Sequence, residues 1–409
     1  MRFHNGTVSP KVKDVRLTLL AGLRTLGPAM AQRVLIVPDK FKGTLAADAV
    51  AAAIGRGWHR ASPEDRLDLL PMSDGGDGFG RVTSRLLGAR GMKTRTVDAA
   101  HRPCVVTWWW AAGSQTAIIE SANVIGLAML PPGRFHPFDL DTFGLGKLLR
   151  AAAERGARRC LIGIGGSATN DAGFGLARAL GWKFRDARGG EITRWTGLAE
   201  LADLEQPPRR SWFEELTVVV DVQNPLLGRS GATRIYGPQK GLRLADFKPA
   251  ERALGRLAAV AKISLGQETA TARGAGAAGG LGFGLATFAN GKLEAGYNFF
   301  TRAAGLEERL KQANLVITGE GSIDRSTLMG KGVGQVARRC HELELPCLGL
   351  AGIVTPRLNW RRSFTKTHAL TSLTDAKQAR TRPGYWLARL AESVARSWPR
   401  KTCAPGKWG

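Results

Sequence analysis

Metal-binding and disulfide patterns are both missing from this sequence. Its five cysteines are scattered and form no CxxC pair, so neither a zinc ribbon nor a disulfide framework is indicated. Free thiols fit a reducing compartment, and the cytoplasm is the expected location. The six histidines include no HExxH and no pair at i, i+4, which argues against a dedicated zinc or iron site. No apolar stretch approaches the roughly 20 residues that span a bilayer, so a membrane is not an expected partner. Acids are scarce as well: 34 Asp and Glu stand against 59 Lys and Arg, a formal charge of +25. Basic surfaces gain affinity for nucleic acid by releasing counterions. Here, however, arginine is spread over the chain, as at Arg155, Arg158 and Arg159, with no aromatic–basic motif or helix-turn-helix pattern. Anionic metabolites are the expected partners, and nucleic acid is not.

The familiar nucleotide motifs are also absent. A Walker A loop needs Gly-x4-Gly-Lys-[Ser/Thr], and neither Gly146-Lys147 nor Gly330-Lys331 has the required neighbours. There is no His-Arg-Asp and no Asp-Phe-Gly, the marks of protein kinases. Gly274-x-Gly276-x-x-Gly279 matches the dinucleotide fingerprint literally, but it follows Glu268 to Arg273 rather than a hydrophobic strand.

Glycine is abundant instead, at 52 of 409 residues, well above the usual share of about 7%. The glycines cluster in short polar loops, which suits backbone-mediated ligand binding. Those loops follow apolar runs that read as strands: Val34–Val37, Cys160–Ile164, Thr217–Val222, Leu315–Thr318, Cys347–Val354 and His368–Leu373. Helices follow several of them. Val50, Ile54 and Trp58 form one helical stripe with Thr44 as its expected cap, and Leu387, Leu390 and Val394 mark a closing helix. Strands alternating with helices imply parallel sheet, with ligands beyond the strand carboxyl ends. Residues 105–295 are less regular.

The polar loops carry the chemistry. Pro38-Asp39-Lys40-Phe41-Lys42-Gly43-Thr44 brings amines and a carboxylate to a helix start, where free N–H groups attract anions. Asp74-Gly75-Gly76-Asp77-Gly78 pairs acids with glycines, a combination suited to Mg²⁺ or hydroxyl groups. Gly163 to Asp171 joins a close-approach glycine loop to Ser167, Thr169, Asn170 and Asp171. Thr318 to Asp324, with Gly319 and Glu320, repeats the theme before Lys331.

These segments are similar to the class I glycerate kinase family over essentially everything from Arg33 to about Trp398. The resemblance lies in PDKFKGTL (38–45), SDGGDG (73–78), IGIGGSATNDAG (162–173), DVQNPLLG (221–228), GATRIYGPQKG (231–241), GAGAAGGLG (274–282) and TGEGSID (318–324). Thr142, Gly144 and Gly146 fit a shorter family pattern. Three positions depart from it: Phe79 stands for a frequent Thr, Lys147 for a common Glu and Ser326 for a usual Gln.

The resemblance implies an α/β protein of two domains with the active site in the cleft between them. A Rossmann- or flavodoxin-like domain with a parallel sheet is expected at 33–104 and 296–400, and a mixed α/β domain inserted at 105–295. Residues 1–32 would form a basic extension and 401–409 a tail. The implied activity is phosphorylation of D-glycerate by ATP with Mg²⁺, with 2-phosphoglycerate favoured over 3-phosphoglycerate as product. Catalytic candidates are Asp171, Asp74, Asp221 and Lys42, the three acids doubling as possible Mg²⁺ holders. Gly165, Gly166, Ser167, Thr169, Asn170, Gly319, Glu320 and Lys331 are candidates for ATP. Asp39, Asp77, Arg234 and Lys240 are candidates for glycerate, Arg offering a bidentate partner for its carboxylate. Monomer and dimer both remain open.

The segment Met1–Gln32 carries five basic residues and one acid, Asp14, and its Leu19–Leu23 core is too short for a secretory signal. Met30, just ahead of the first strand, is an alternative start. A chain beginning at Met30 should therefore keep the melting temperature and activity of the full chain. A loss of several degrees, or of most activity, would refute this.

Overall fold

The computed structural model describes residues 31–328, 331–355 and 363–399; the extension up to Met30, Gly330 and the 401–409 tail lie outside them. Among the described residues thirteen strands form three sheets. In chain order they are β1 Arg33–Ile36, β2 Arg66–Leu69, β3 Arg90–Val97, β4 Pro103–Ala111, β5 Thr116–Glu120, β6 Arg159–Gly163, β7 Lys183–Asp186, β8 Leu201–Glu205, β9 Glu215–Val220, β10 Lys292–Ala295, β11 Leu315–Ile323, β12 Cys347–Val354 and β13 Lys366–Ala369.

The first sheet, in the order β13-β12-β11-β1-β2, is parallel throughout. Its strands alternate their apolar residues between two helical layers. Val34 and Ile36 join Val50, Ile54 and Trp58 of helix Ala47–Ala61 and Leu387, Leu390 and Val394 of helix Pro383–Ser397 on one side. Leu35 and Val37 face Val333, Val336 and Cys340 of helix Gly332–Glu342 on the other. The second sheet has the order β10-β9-β6-β5-β4-β3, parallel from β10 to β5 and antiparallel from there to β3. It carries the largest core. β7 and β8 make a separate antiparallel pair. Phe79, Ile118, Val219 and Phe299 form a small core of their own, and Phe79 is fully buried there.

Several expectations shift. β3 pairs with β4 along its whole length, so the change of sheet falls between Leu69 and Arg90, ahead of the expected break after residue 104. β11 runs on through Gly319-Glu320-Gly321 instead of turning at Thr318. Glycine is needed there because a Cβ on Gly319 would lie 1.9 Å from the Leu350 carbonyl oxygen on β12. His368–Leu373 is a strand only as far as Ala369, with a short 3₁₀ turn beyond it. Thr44 is not the helix cap: its hydroxyl donates to Phe41 O at 3.0 Å, and Ala46 precedes the helix with no side-chain cap.

The first and last helices cross at glycine contact. A Cβ on Gly57 would sit 2.0 Å from Ala388 O. Gly57→Ala should therefore lower unfolding free energy by about 1–3 kcal/mol in urea melts. Gly113→Ala, which meets nothing within 4 Å, should change it by about 0.5 kcal/mol or less. Equal effects at the two positions would contradict the packing described.

Candidate active site

Parallel strands deliver their following loops to one edge, and here both sheets do so toward each other. Asp39 leaves β1 with its N–H donating to Gly319 O at 2.8 Å, while Met72, after β2, donates to Pro38 O at 2.9 Å. Asp74 to Gly78 then cross toward the second sheet. Gly75 O accepts from Gly165 N at 3.2 Å, just beyond β6. The approach leaves no space for side chains. A Cβ on Gly75 would lie 2.7 Å from Val219 O on β9, and one on Gly296, just after β10, would lie 1.9 Å from Asp74 O. Glu120, at the end of β5, accepts from Gly78 N at 2.8 Å and Gly80 N at 3.0 Å. It thus holds the start of helix Phe79–Leu86, where a carboxylate suits the unpaired N–H groups.

Around this loop the acids gather. Lys40 reaches back to donate to Asp77 O at 3.2 Å. Burial alone would lower its pKa, but Asp74, Asp39, Asp77 and Asp221 together raise it. Burial, with repulsion from Asp74 and Glu320, pushes Asp39 up from 3.8 to about 7 against the pull of Lys40. Asp221 lies just past β9 and keeps exposed surface. Desolvation of its carboxylate, together with Asp74, takes it to about 6, while Lys40 and Lys42 resist. Glu320 is raised by burial as well, although Thr327 donates to it at 2.7 Å and Lys331 stands at 3.3 Å. Lys42 and Arg234 are both exposed.

The glycine loop after β6 has an open front and a closed back. Gly165 and Gly166 reach solvent, whereas Ser167, Thr169, Asn170 and Asp171 are buried. Asp171 has no exposed surface. Its Oδ2 accepts from Thr142 N at 2.9 Å, Thr142 Oγ1 at 2.7 Å and Gly175 N at 3.0 Å. In this position it anchors the starts of helices Phe143–Glu154 and Phe174–Ala179, and burial lifts it to about 6. Asn170 donates to Thr233 Oγ1 at 3.1 Å. Lys240 is buried too, donating to Thr169 O at 2.6 Å under the kink at Ala278–Gly280, and desolvation lowers it to about 7. Thr169, Asn170, Asp171 and Lys240 thus stand behind the loop, and the open cluster is made by Asp39, Asp74, Asp77, Asp221 and Glu320 with Lys40, Lys42 and Lys331.

Lys40 and Glu120 were not among the residues singled out from the sequence. Lys40 sits inside the same motif as Lys42, but its partner lies 37 residues away, and nothing local separates the two amines. Among the described residues no three His, Cys, Asp or Glu side chains are placed to hold a metal ion unaided.

Comparison with known proteins matches residues 34–399 to the glycerate kinase family. The chain is 38% identical over 324 residues to a glycerate kinase of Halalkalibacterium halodurans, covering 78% of this chain and 85% of that one. It is 37% identical over 331 residues to a glycerate 2-kinase of Escherichia coli, covering 79% and 86%. A crystal structure of a glycerate kinase 2 candidate from Salmonella typhimurium LT2 superposes with a TM-score of 0.77 at 32% identity, covering 90% of this chain and 98% of that one.

Lys240 makes a pH signature. Its folded pKa is depressed from 10.5 to about 7, so below pH 7 both states carry the proton and the full cost of burying the charge is present. Between pH 7 and 10.5 the unfolded chain holds more protons than the folded one, and stability rises with pH, by on the order of 1 kcal/mol per unit. Asp171 is ionised in both states across that window and adds no slope. Lys240→Met should therefore compare best with the parent at pH 6 and lose that advantage by pH 10, read from urea midpoints. Parallel pH curves would show that Lys240 keeps its charge when folded.

Proposed function

The chain belongs to the glycerate kinase family and is a kinase, and from that premise we propose that it transfers the γ-phosphoryl group of ATP to D-glycerate. The observation that carries this is the set of four carboxylates, Asp39, Asp74, Asp77 and Asp221, acting on Lys40 where loops from the parallel strands of both sheets meet. We place the reaction in the cleft between the sheets, in the cytoplasm, with 2-phosphoglycerate as product. Likeness to the Escherichia coli glycerate 2-kinase supports that choice of hydroxyl, as does the resemblance to class I members.

Phosphoryl transfer asks chiefly for alignment and for stabilisation of charge on the moving group. Asp74 and Asp221, hard oxygen donors beside each other's field, would hold Mg²⁺, which supplies positive charge to the phosphate oxygens. Lys42 and Lys331 neutralise further phosphate charge, and the exposed backbone of Gly165 and Gly166, backed by Ser167, lies against the transferring group. Gly319 keeps Asp39 in place by accepting its N–H. Asp39, poised near neutrality, takes the proton of the attacking glycerate hydroxyl as its oxygen bonds phosphorus and the bond to ADP breaks. Arg234 is exposed next to Thr233, the residue that contacts the glycine loop, and receives the glycerate carboxylate. Asp77 orients the second hydroxyl. Thr169, Asn170, Asp171 and Lys240 act from behind, by fixing the loop.

Incubation with D-glycerate, ATP and Mg²⁺, with the product identified by NMR, tests the reading; ADP release that is independent of glycerate would refute it. The variant Asp221→Asn should lower kcat by on the order of 10² or more, because its contribution grows in the transition state. It should not lower the melting temperature. A carboxylate whose folded pKa is raised is less comfortable ionised when folded, so removing its charge costs no stability. For the parent, kcat/KM should fall as pH drops through 7 toward 6, when Asp39 and then Asp221 gain protons. A profile flat from pH 8 to 5.5 would exclude both carboxylates from the chemistry.

A further inference from the structure

Beside the acid cluster lies a cavity of about 690 Å³ whose chemistry changes from one end to the other. Lys40, Lys42 and Asp77 form the end next to the acids. Glu120 also lines it, but its carboxylate is spent on the backbone N–H groups of Gly78 and Gly80. Asp48, on the first turn of helix Ala47–Ala61, is paired with Arg81 at 2.7 Å and Arg85 at 3.1 Å. Lys42 is exposed and has no ion pair among the described residues. This end is therefore set for anionic oxygens.

The far end is different. β4 alternates, sending Val106 and Trp108 into the main core and leaving Val105, Thr107 and Trp109 on the cavity side. Val105 is 61% exposed, an unusual state for a β-branched residue in the middle of a strand pair. Leu45 and Val82 complete an apolar wall. Trp109 is fixed in place, because its ring lies against the backbone of Gly80, where a Cβ would meet it at 1.9 Å.

A three-carbon hydroxy acid has no apolar surface for such a wall and would fill a small part of the space. A volume in the range of about 300–1,000 Å³, with an apolar wall beside polar and charged groups that include Arg81 and Asn123, suits a larger amphiphilic molecule. We propose that this cavity seats the purine nucleoside of the phosphoryl donor, its base against Val105 and Trp109 and its phosphates running past Lys42 to the acid cluster. This rests on the reading that the chain is an ATP-dependent kinase, and it puts the acceptor on the opposite side of the acids, by Gly165, Gly166 and Arg234.

The test uses the full chain and two substitutions on the wall, away from the acids: Thr107→Trp, which fills the cavity, and Val105→Glu, which sets a negative charge at its lip. Both positions are exposed on a strand, so one remains available if the other fails to fold by circular dichroism. Titration with Mg·ADP in the absence of glycerate should show affinity reduced tenfold or more. KM for ATP should rise by a similar factor, with KM for D-glycerate and kcat at saturating ATP within threefold of the parent. Folded variants that bind ADP as the parent does would overturn the assignment, and so would a rise in KM for D-glycerate in place of that for ATP. If the parent makes no phosphoglycerate yet binds ADP, and the variants lose that binding, the acceptor reading falls while the nucleoside site stands.

Discussion

The structure depends on backbone meeting backbone where the Asp74–Gly78 loop crosses from one sheet to the other. Gly75 touches the end of β9, Gly165 donates to it from beyond β6, and Gly296 passes under Asp74. No side chain fits between these segments, so the position of the acids is set by carbonyl and amide contacts rather than by rotamers. Such contacts have few alternatives, because a shift of even one methyl group cannot be absorbed. The two sheets are thereby held in the arrangement that lets Asp39 from one and Asp221 from the other both act on Lys40 and both feel Asp74.

That arrangement stores repulsion. Desolvation and mutual charge lift Asp39 and Asp221 toward neutrality, and Lys40 only partly offsets it. A field of this kind is unfavourable to the protein alone and favourable to a divalent cation with its phosphate ligands. The buried groups behind the glycine loop have the opposite task. Asp171 ties two helix starts together and Lys240 holds the loop's carbonyl, leaving its front free to lie against a ligand.

Much of the first sheet was legible because its strands are apolar runs closed by polar loops, and the Val50–Ile54–Trp58 stripe falls into the core as its spacing implies. What could not be read was long-range. Glycines read as turns, yet Gly319 lies inside β11, where the constraint comes from Leu350 on the neighbouring strand. Asp171 shows its polarity in the sequence but not its burial beside Thr142, which stands 29 residues away just ahead of helix Phe143–Glu154. The change of sheet ahead of β3 is hard to read because β3 is polar along most of its length and reads as surface, although it completes the second sheet as an edge strand. Lys40 and Lys42 differ only in what lies across from them in space.

The register of β1 carries a consequence for synthesis. Val34 pairs with Leu315, and Thr318 donates to Val37 O across 281 residues. The six-stranded sheet, by contrast, is built wholly from residues 90–295. As the chain leaves the ribosome, that sheet can close while β1 and β2 still lack their central neighbour. The β11-facing edge of β1 thus stays unpaired through most of translation, a state in which strands recruit foreign partners. The closing helix Pro383–Ser397, which seals this half against helix Ala47–Ala61, is made last of all the described elements. The order of manufacture therefore runs from the middle of the molecule outward, and the half that begins the polypeptide is the last to become a folded object.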